Sequence, residues 1–344
     1  MKIIILVIIL VTLIHSYNYS NFKKEIIIYE DPESYVKLDD FYFINKDTGW
    51  VISGIDSLKK IYMTNNSGIY WETIYQSTEY IFRSIYFKDS KNGFIGTLDS
   101  SVLLYTNDGG YHWQNCSFIN NIKPEGVCSL YGLGNKYIFG CGKYSKPADF
   151  IKSSDSGLTW ECKRLPNEIT SAVDCYFINQ NTGFIAGGYS KGDYNNSKAV
   201  ILKTTSGGID WEVKYRSMSD NQMHWKICFI NDNTGYVSIQ SLDINIKDIS
   251  YIKTTNKGNT WEEKSFKVKE SGYGMLGIYF ENSDTGYIGG MRISDESING
   301  ENYYTINGGK NWLPDFRFAN INKFRKVGEQ LFASGKNFYK ITIP

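Results

Sequence analysis

One eight-residue pattern recurs six times along this chain and leaves few folds open. Its copies are Thr64-Asn65-Asn66-Ser67-Gly68-Ile69-Tyr70-Trp71, Thr106-Asn107-Asp108-Gly109-Gly110-Tyr111-His112-Trp113 and Ser153-Ser154-Asp155-Ser156-Gly157-Leu158-Thr159-Trp160. They continue as Thr204-Thr205-Ser206-Gly207-Gly208-Ile209-Asp210-Trp211, Thr254-Thr255-Asn256-Lys257-Gly258-Asn259-Thr260-Trp261 and Thr305-Ile306-Asn307-Gly308-Gly309-Lys310-Asn311-Trp312. The Trp-to-Trp spacings are 42, 47, 51, 50 and 51 residues. A unit of roughly 40–50 residues cannot bury its own apolar face, so such a period means stacked copies sharing one core.

Each position in the pattern has a physical role. The leading Ser or Thr and the third-position Asp, Asn or Ser can bond nearby backbone groups and close a turn. The fifth-position Gly is the same in all six copies, which predicts a positive φ. The Trp supplies a large apolar face. These are folding roles, so a carboxylate here holds a turn rather than performing chemistry.

A second motif precedes each turn. It reads Phe43-Ile44-Asn45-Lys46-Asp47-Thr48-Gly49-Trp50 and recurs at 87–94, 177–184, 229–236 and 280–287, with a degraded copy at 130–137. Apolar runs flank every polar turn, the signature of a hairpin. Each unit thus reads as four short strands, which suits a propeller blade. Six units span about 38–318, and the tail 323–344 offers three more strands without a fourth. The segment 24–29 can supply the missing outer strand and join the chain ends. The expectation is an all-β, seven-bladed propeller over 22–344, with six blades and irregular ends as the alternative.

The two motifs together resemble Asp-box (BNR) propellers, and most fully the family of photosystem II stability and assembly factors, which are seven-bladed. Sortilin-type, sialidase and xyloglucanase propellers share only the box. Only 153–160 carries the full box. The resemblance implies a fold and a protein-binding, assembly-factor-like role; relatives occur widely outside photosynthesis, so no photosystem is implied.

The N-terminus reads as an address. Met1-Lys2 precedes a twelve-residue apolar run, Ile3–Ile14, and the chain turns polar at His15-Ser16. This is a signal-peptide pattern over 1–16, short for a membrane span; an uncleaved anchor is the alternative. A secreted or periplasmic protein with no anchor after cleavage is expected. The net charge is +1 with no basic block, so nucleic acid is not an expected partner.

Chemistry is sparse. A sialidase needs three arginines around a carboxylate. The six arginines here lie scattered outside the Phe/Tyr-Arg-Ile-Pro motif, and Arg83 is a weak echo of it. A glycosidase needs two carboxylates about 5–10 Å apart. Asp39, Asp40 and Asp174 fall near the starts of innermost strands, which keeps a carbohydrate-active or carbohydrate-binding propeller as the alternative. The three histidines have no metal-ligand spacing, and no nucleophile elbow or phosphate loop occurs. No catalytic residue, metal or cofactor is assigned.

Of six cysteines, Cys128 and Cys141 would face each other if Gly134-Asn135 formed a two-residue hairpin turn, making a disulfide there one reading. The other is six buried small apolar residues.

The loops between second and third strands lie opposite the boxes and lengthen along the chain, at 143–149, 189–198, 240–250 and 291–302. A rigid scaffold holding polar loops is a plausible binding surface. The expected partner-binding residues are Arg83, Asp174, Tyr189, Trp225, Tyr273 and Arg292, with His224 beside them. A protein partner is expected and carbohydrate is the alternative.

Overall fold

The computed structural model describes residues 24–28, 37–54, 58–98, 103–119, 122–143, 148–191, 196–243, 245–268, 273–292 and 300–341; for 24–28, 273 and 292 it describes the backbone alone. Residues 1–16, where a signal peptide is expected, lie outside this range. The strands form seven four-stranded antiparallel sheets, the blades of a β-propeller. Blade 1 runs outward through Leu38–Phe43, Gly49–Ser53, Lys59–Thr64 and Glu72–Ser77. Blades 2 to 6 repeat this order from inner strands Phe82–Phe87, Ser129–Leu133, Ser171–Phe177, Gln222–Phe229 and Tyr273–Phe280. Blade 7 comprises Ile321–Val327, Gln330–Gly335 and Phe338–Ile341, and Lys24–Ile28 pairs antiparallel to the last of these. The chain ends thus share a blade, and ring closure is made by strand pairing.

The six repeated turns are built alike. In blade 3, Ser153 Oγ donates to Asp155 Oδ1 at 2.8 Å and accepts the Gly157 N–H at 2.8 Å, while Asp155 Oδ1 accepts the Thr159 N–H at 2.9 Å. Blade 1 makes the same bonds through Thr64, Asn66 and Gly68, and blade 4 through Thr204, Ser206 and Gly208. The fifth-position glycine has a positive φ in every copy, as expected. At Gly157 a second constraint applies: a Cβ would lie 2.1 Å from the Phe94 ring of the preceding blade.

Each turn also docks on the hairpin between strands one and two of its own blade. Ser67 N–H donates to the Asp47 carbonyl at 3.0 Å, and Gly207 N–H to that of Asn181 at 2.8 Å. Turns and hairpins therefore share one face of the ring, here called the box face.

Aromatic stacking joins the blades. In five blades an aromatic residue near the start of strand two lies on the next blade's inner-strand Phe. Trp50 stacks on Phe87, Phe139 on Phe177 and Tyr236 on Phe280, all with ring centroids 3.6 Å apart. Phe184 on Phe229 and Phe332 on Phe43 repeat the pairing at 5.0 and 4.6 Å, the latter across the closure. Each such pair contributes about 0.5–1.5 kcal/mol beyond its burial. The box Trp meets the Phe edge-on within a blade, as Trp113 does Phe87.

Blade 3 departs from the pattern. Gly132 occupies the Phe position, since it pairs with Ile138 and Ile138 with Ser153. Its missing side chain leaves room for the Tyr86 ring, and Trp160 turns to Phe94 instead and is fully buried. The hairpin closes at Leu133↔Tyr137 over three residues, with Gly134 at φ 59°. That shifts the register by one from the expected two-residue turn: Cys141 faces Ser129, not Cys128. Cys128 and Cys141 are free thiols, as are the other four, so the disulfide reading is corrected. Burial pushes the Cys128 and Cys228 thiols up to about 11.

Candidate functional site: the axial cavity

Seven inner strands surround the axis, and their registers define equivalent positions. The reference residue of each is Phe43, Phe87, Gly132, Phe177, Phe229, Phe280 or Lys326. Counting back from it gives three rings of residues.

Four residues back lie Asp39, Arg83, Cys128, Val173, Trp225, Leu276 and Asn322. Register shifts mark this position in blades 1, 2, 4 and 7, where a β-bulge re-aims the side chain. Arg83 pairs with the Asp39 carboxylate, and Lys37 approaches the same Oδ1 at 3.5 Å. Both cations lie over the Trp225 ring, at 5.6 and 5.8 Å from its centroid. Trp225 Nε1–H donates to Asn322 Oδ1 at 2.9 Å, and Asn322 Nδ2–H to the Asp39 carbonyl at 2.7 Å. Val173, Met223, Leu276 and Met291 pack with Trp225 into a small apolar cluster. This layer fills the axis at the strand-start end.

Three residues back lie Asp40, Ser84, Ser129, Asp174, Lys226, Gly277 and Lys323. The oxygens here staple neighbouring blades. Asp40 Oδ2 accepts the Ile85 N–H at 3.1 Å, and Asp174 Oδ2 the Ile227 N–H at 3.0 Å. Asp174 Oδ1 accepts the Ser129 hydroxyl at 2.7 Å. Lys323 Nζ sits 2.5 Å from Asp40 Oδ1, and Arg325 approaches that oxygen at 4.0 Å. Burial works to raise the Asp40 pKa, but Lys323 and Arg325 outweigh it and hold the carboxyl below its ordinary range. Burial brings the Lys323 ammonium down to about 8, with Asp40 opposing and Arg325 and Lys226 adding to the fall.

One residue back lie Tyr42, Tyr86, Tyr131, Tyr176, Cys228, Tyr279 and Arg325. Tyr42 meets Tyr86 and Tyr131 meets Tyr176 with centroids 5.0 Å apart. Arg325 lies over Tyr42, 4.8 Å from its centroid. Burial raises the phenol pKa of all five tyrosines, which stay neutral hydroxyls at working pH.

Between the second and third rings is a cavity of about 490 Å³. It is lined from Ser129, Asp174 and Lys323 at depth to Ile230 and Glu281 beyond the strand ends, so it opens on the box face. Tyr131, Tyr176, Tyr279 and Arg325 form its wall. At the mouth, Lys326 pairs with Glu281 at 2.5 Å.

The residues singled out in the sequence have separate fates. Asp174 lines the cavity. Arg83 and Trp225 belong to the layer that closes the other end. Trp225, 9% exposed, lies beneath two cations and is no exposed contact, which corrects that expectation. Tyr189 is half-buried under Arg216, on the outer part of blade 4. Tyr273 and Arg292 are register partners in blade 6, and their side chains lie outside the described residues, as do the tips of the second-to-third-strand loops. His224 is fully buried, its Nδ1 3.2 Å from the Ser238 carbonyl.

Lys226, Lys323, Arg325 and the five tyrosines are not among the residues expected from sequence. The available signal was the constant offset from the motif Phe, obscured where Gly132 and Lys326 replace it.

No protein-family profile matches the chain, and no curated protein does. Solved structures do. YCF48 bound to D1 peptide is 15% identical with a TM-score of 0.65, over 94% of this chain and 97% of that one. YCF48 from Cyanidioschyzon merolae is 17% identical with a TM-score of 0.63, over 93% and 98%. The GH74 xyloglucanase from Xanthomonas campestris is 10% identical with a TM-score of 0.60, over 92% of this chain but 52% of the enzyme. At these identities the likeness is one of fold.

Proposed function

We propose that this chain is a non-enzymatic, protein-binding propeller of the assembly-factor kind, which holds an extended peptide segment of its partner in the axial cavity. The observation that carries this reading is the lining: tyrosine rings and the cations Lys323 and Arg325 at the wall, with the carboxylates among its described residues committed to holding strands. Rings and fixed donors suit the faces and carbonyls of a peptide. Asp40 and Asp174 are bonded to backbone N–H groups of the next blade, which suits stapling better than proton transfer. The YCF48 structure with a bound peptide, on a similar fold, supports the same class of ligand. The six turns are taken as Asp-box repeats, and residues 1–16 as a signal that delivers the domain at 22–344 outside the cytoplasm. N-terminal sequencing of the mature protein is expected to start at Tyr17.

The carbohydrate reading has one observation behind it, the tyrosine-rich wall on a fold shared with the xyloglucanase. Panning a random peptide library and a glycan array against the full chain separates the two. The proposal expects selected peptides whose binding falls in Tyr279→Ala. Glycan hits lost in that variant, with no such peptides, would overturn it.

A further inference from the structure

The axis carries an excess of positive charge, with Lys226 buried and the other cations largely so. Five cations converge there, Lys37, Arg83, Lys226, Lys323 and Arg325, against three carboxylates, Asp39, Asp40 and Asp174. Arg83 and Lys37 share Asp39, and Lys323 and Arg325 share Asp40. Asp174 is turned to Ser129 and to the Ile227 backbone. Lys226 is 8% exposed, and no carboxylate among the described residues lies within ion-pairing distance of it. It springs from blade 5, yet its charge acts on Lys37 and Asp40 at blade 1, Cys128 at the entry of blade 3 and Lys323 of blade 7. Its place on the inner strand sets it in the second ring with Asp174 and Lys323, next to Ile227, and Asp174, Lys323 and Ile227 line the cavity. Arg325 supplies a second unmet group: its Nη1 is buried with no hydrogen-bond partner, beside the cavity. Uncompensated buried charge and orphaned donors are both strongly unfavourable unless a counter-charge completes them.

We propose that the inner end of the axial cavity is an anion site, in which Lys226, Lys323 and Arg325 take a carboxylate or another small oxyanion. A planar guanidinium edge suits two oxygens of one group, and the flanking ammonium groups suit its remaining lone pairs. The Tyr131, Tyr176 and Tyr279 rings then flank whatever chain carries that group. The carrier is either a free ion or an acidic side chain or C-terminus of a bound peptide. The second case rests on the protein-binding reading above and sharpens it: the peptide is selected for an acidic group that reaches the second ring. The first case stands without that reading.

The test uses the full chain, with Lys226→Met and Arg325→Leu as probes and the exposed Lys163→Met as control. Melting is followed in sodium sulfate and sodium acetate against sodium chloride at equal ionic strength. Sulfate strengthens burial in any protein, so the readout is the difference between variants. Wild type and Lys163→Met are expected to gain more from sulfate and acetate than the two probes. Lys226→Met is expected to melt above wild type at low salt, because an unpaired buried charge is gone. Binding of paired labelled peptides, differing only by Glu against Gln, is then measured on all four proteins. The Glu peptide is expected to bind about tenfold tighter than its Gln twin, and to lose that margin in Lys226→Met and Arg325→Leu. Equal sulfate and acetate gains in all four proteins, with equal Glu and Gln binding, would overturn the anion site. Peptide binding that ignores the Glu-to-Gln change while falling in Tyr279→Ala sinks the acidic-peptide case and leaves the peptide reading intact. Free-anion effects without any peptide binding uphold the site and overturn the peptide reading.

Discussion

The indole N–H of Trp225 in blade 5 donates to Asn322 Oδ1 in blade 7 at 2.9 Å, bypassing blade 6. Asn322 passes the connection on to the Asp39 carbonyl of blade 1 at 2.7 Å. One buried amide therefore joins three inner strands around the axis, next to the closure between blades 7 and 1.

Asn322→Ala removes both bonds and orphans a buried indole N–H and a carbonyl. Urea denaturation is expected to show a loss of about 2–4 kcal/mol. Trp225→Phe should fall short of that, and the double variant should lose less than the sum of the two singles. Additive losses would mean that the two side chains do not act as a unit.

Two glycines of blade 3, one in the box and one in the first hairpin, separate two constraints. Gly157 has φ 89° and a Cβ there meets Phe94, whereas Gly134 has φ 59° with nothing within 4 Å. Gly134→Ala is expected to lose about 1–2 kcal/mol for the left-handed backbone alone. Gly157→Ala should lose about 3 kcal/mol or more, since the Phe94 ring must also move. Equal losses in the same denaturation experiment would refute the packing part.

His224 gives a pH signature. Burial holds its imidazole neutral and pushes the pKa down to about 3, from 6.5, with the Ser238 carbonyl opposing weakly. Below about pH 6.5 the unfolded chain takes up a proton that the folded chain refuses, so stability is level above that pH and falls as pH drops toward 3. The full effect is on the order of 5 kcal/mol. His224→Gln should flatten the slope of stability against pH by about one proton in that window. An unchanged slope would show that the buried imidazole is not the group refusing it.

The cysteines make a simple chemical prediction. Cys116, Cys128, Cys141, Cys162 and Cys175 are buried, and burial raises the thiol pKa of Cys128 to about 11 and of Cys162 to about 12. Thiolate is the reactive form, so alkylation of the native protein should be slow at these sites and complete only on unfolding. Intact mass should show six free thiols. A mass two hydrogens lighter, with a Cys128–Cys141 crosslink in the digest, would reverse the correction made from the hairpin register.

How much of this was legible follows from which residues repeat. The turn residues and the motif Phe and Gly recur because every blade needs the same turn and the same joint, and period alone exposes them. Seven blades, and closure by residues 24–28, followed from counting strands. The axial residues recur in position but not in type: Asp40, Ser129, Lys226 and Lys323 are equivalent in the fold and unlike in chemistry. Their meaning arises only when seven strands meet, because Lys226 and Asp40 lie far apart in the chain. Trp225 misled for the same reason. An aromatic at a strand start reads as a rim contact until Arg83 and Lys37, from other parts of the ring, are seen to cover it. The blade 3 hairpin slipped by one residue because Gly134 supports a three-residue loop as readily as a two-residue turn.

A partner peptide is proposed to enter by the axial cavity on the box face. Replacing Tyr279 with a photo-crosslinking benzoylphenylalanine places a reactive group on the cavity wall, and the same change at exposed Lys191 places one beside the blade 4 loop on the opposite face. Both proteins would be irradiated in whole cultures of the cells that make them, and crosslinked peptides identified by mass spectrometry. The account predicts one recurrent partner peptide from position 279 and none from position 191. The same partner recovered from position 191 alone would contradict it.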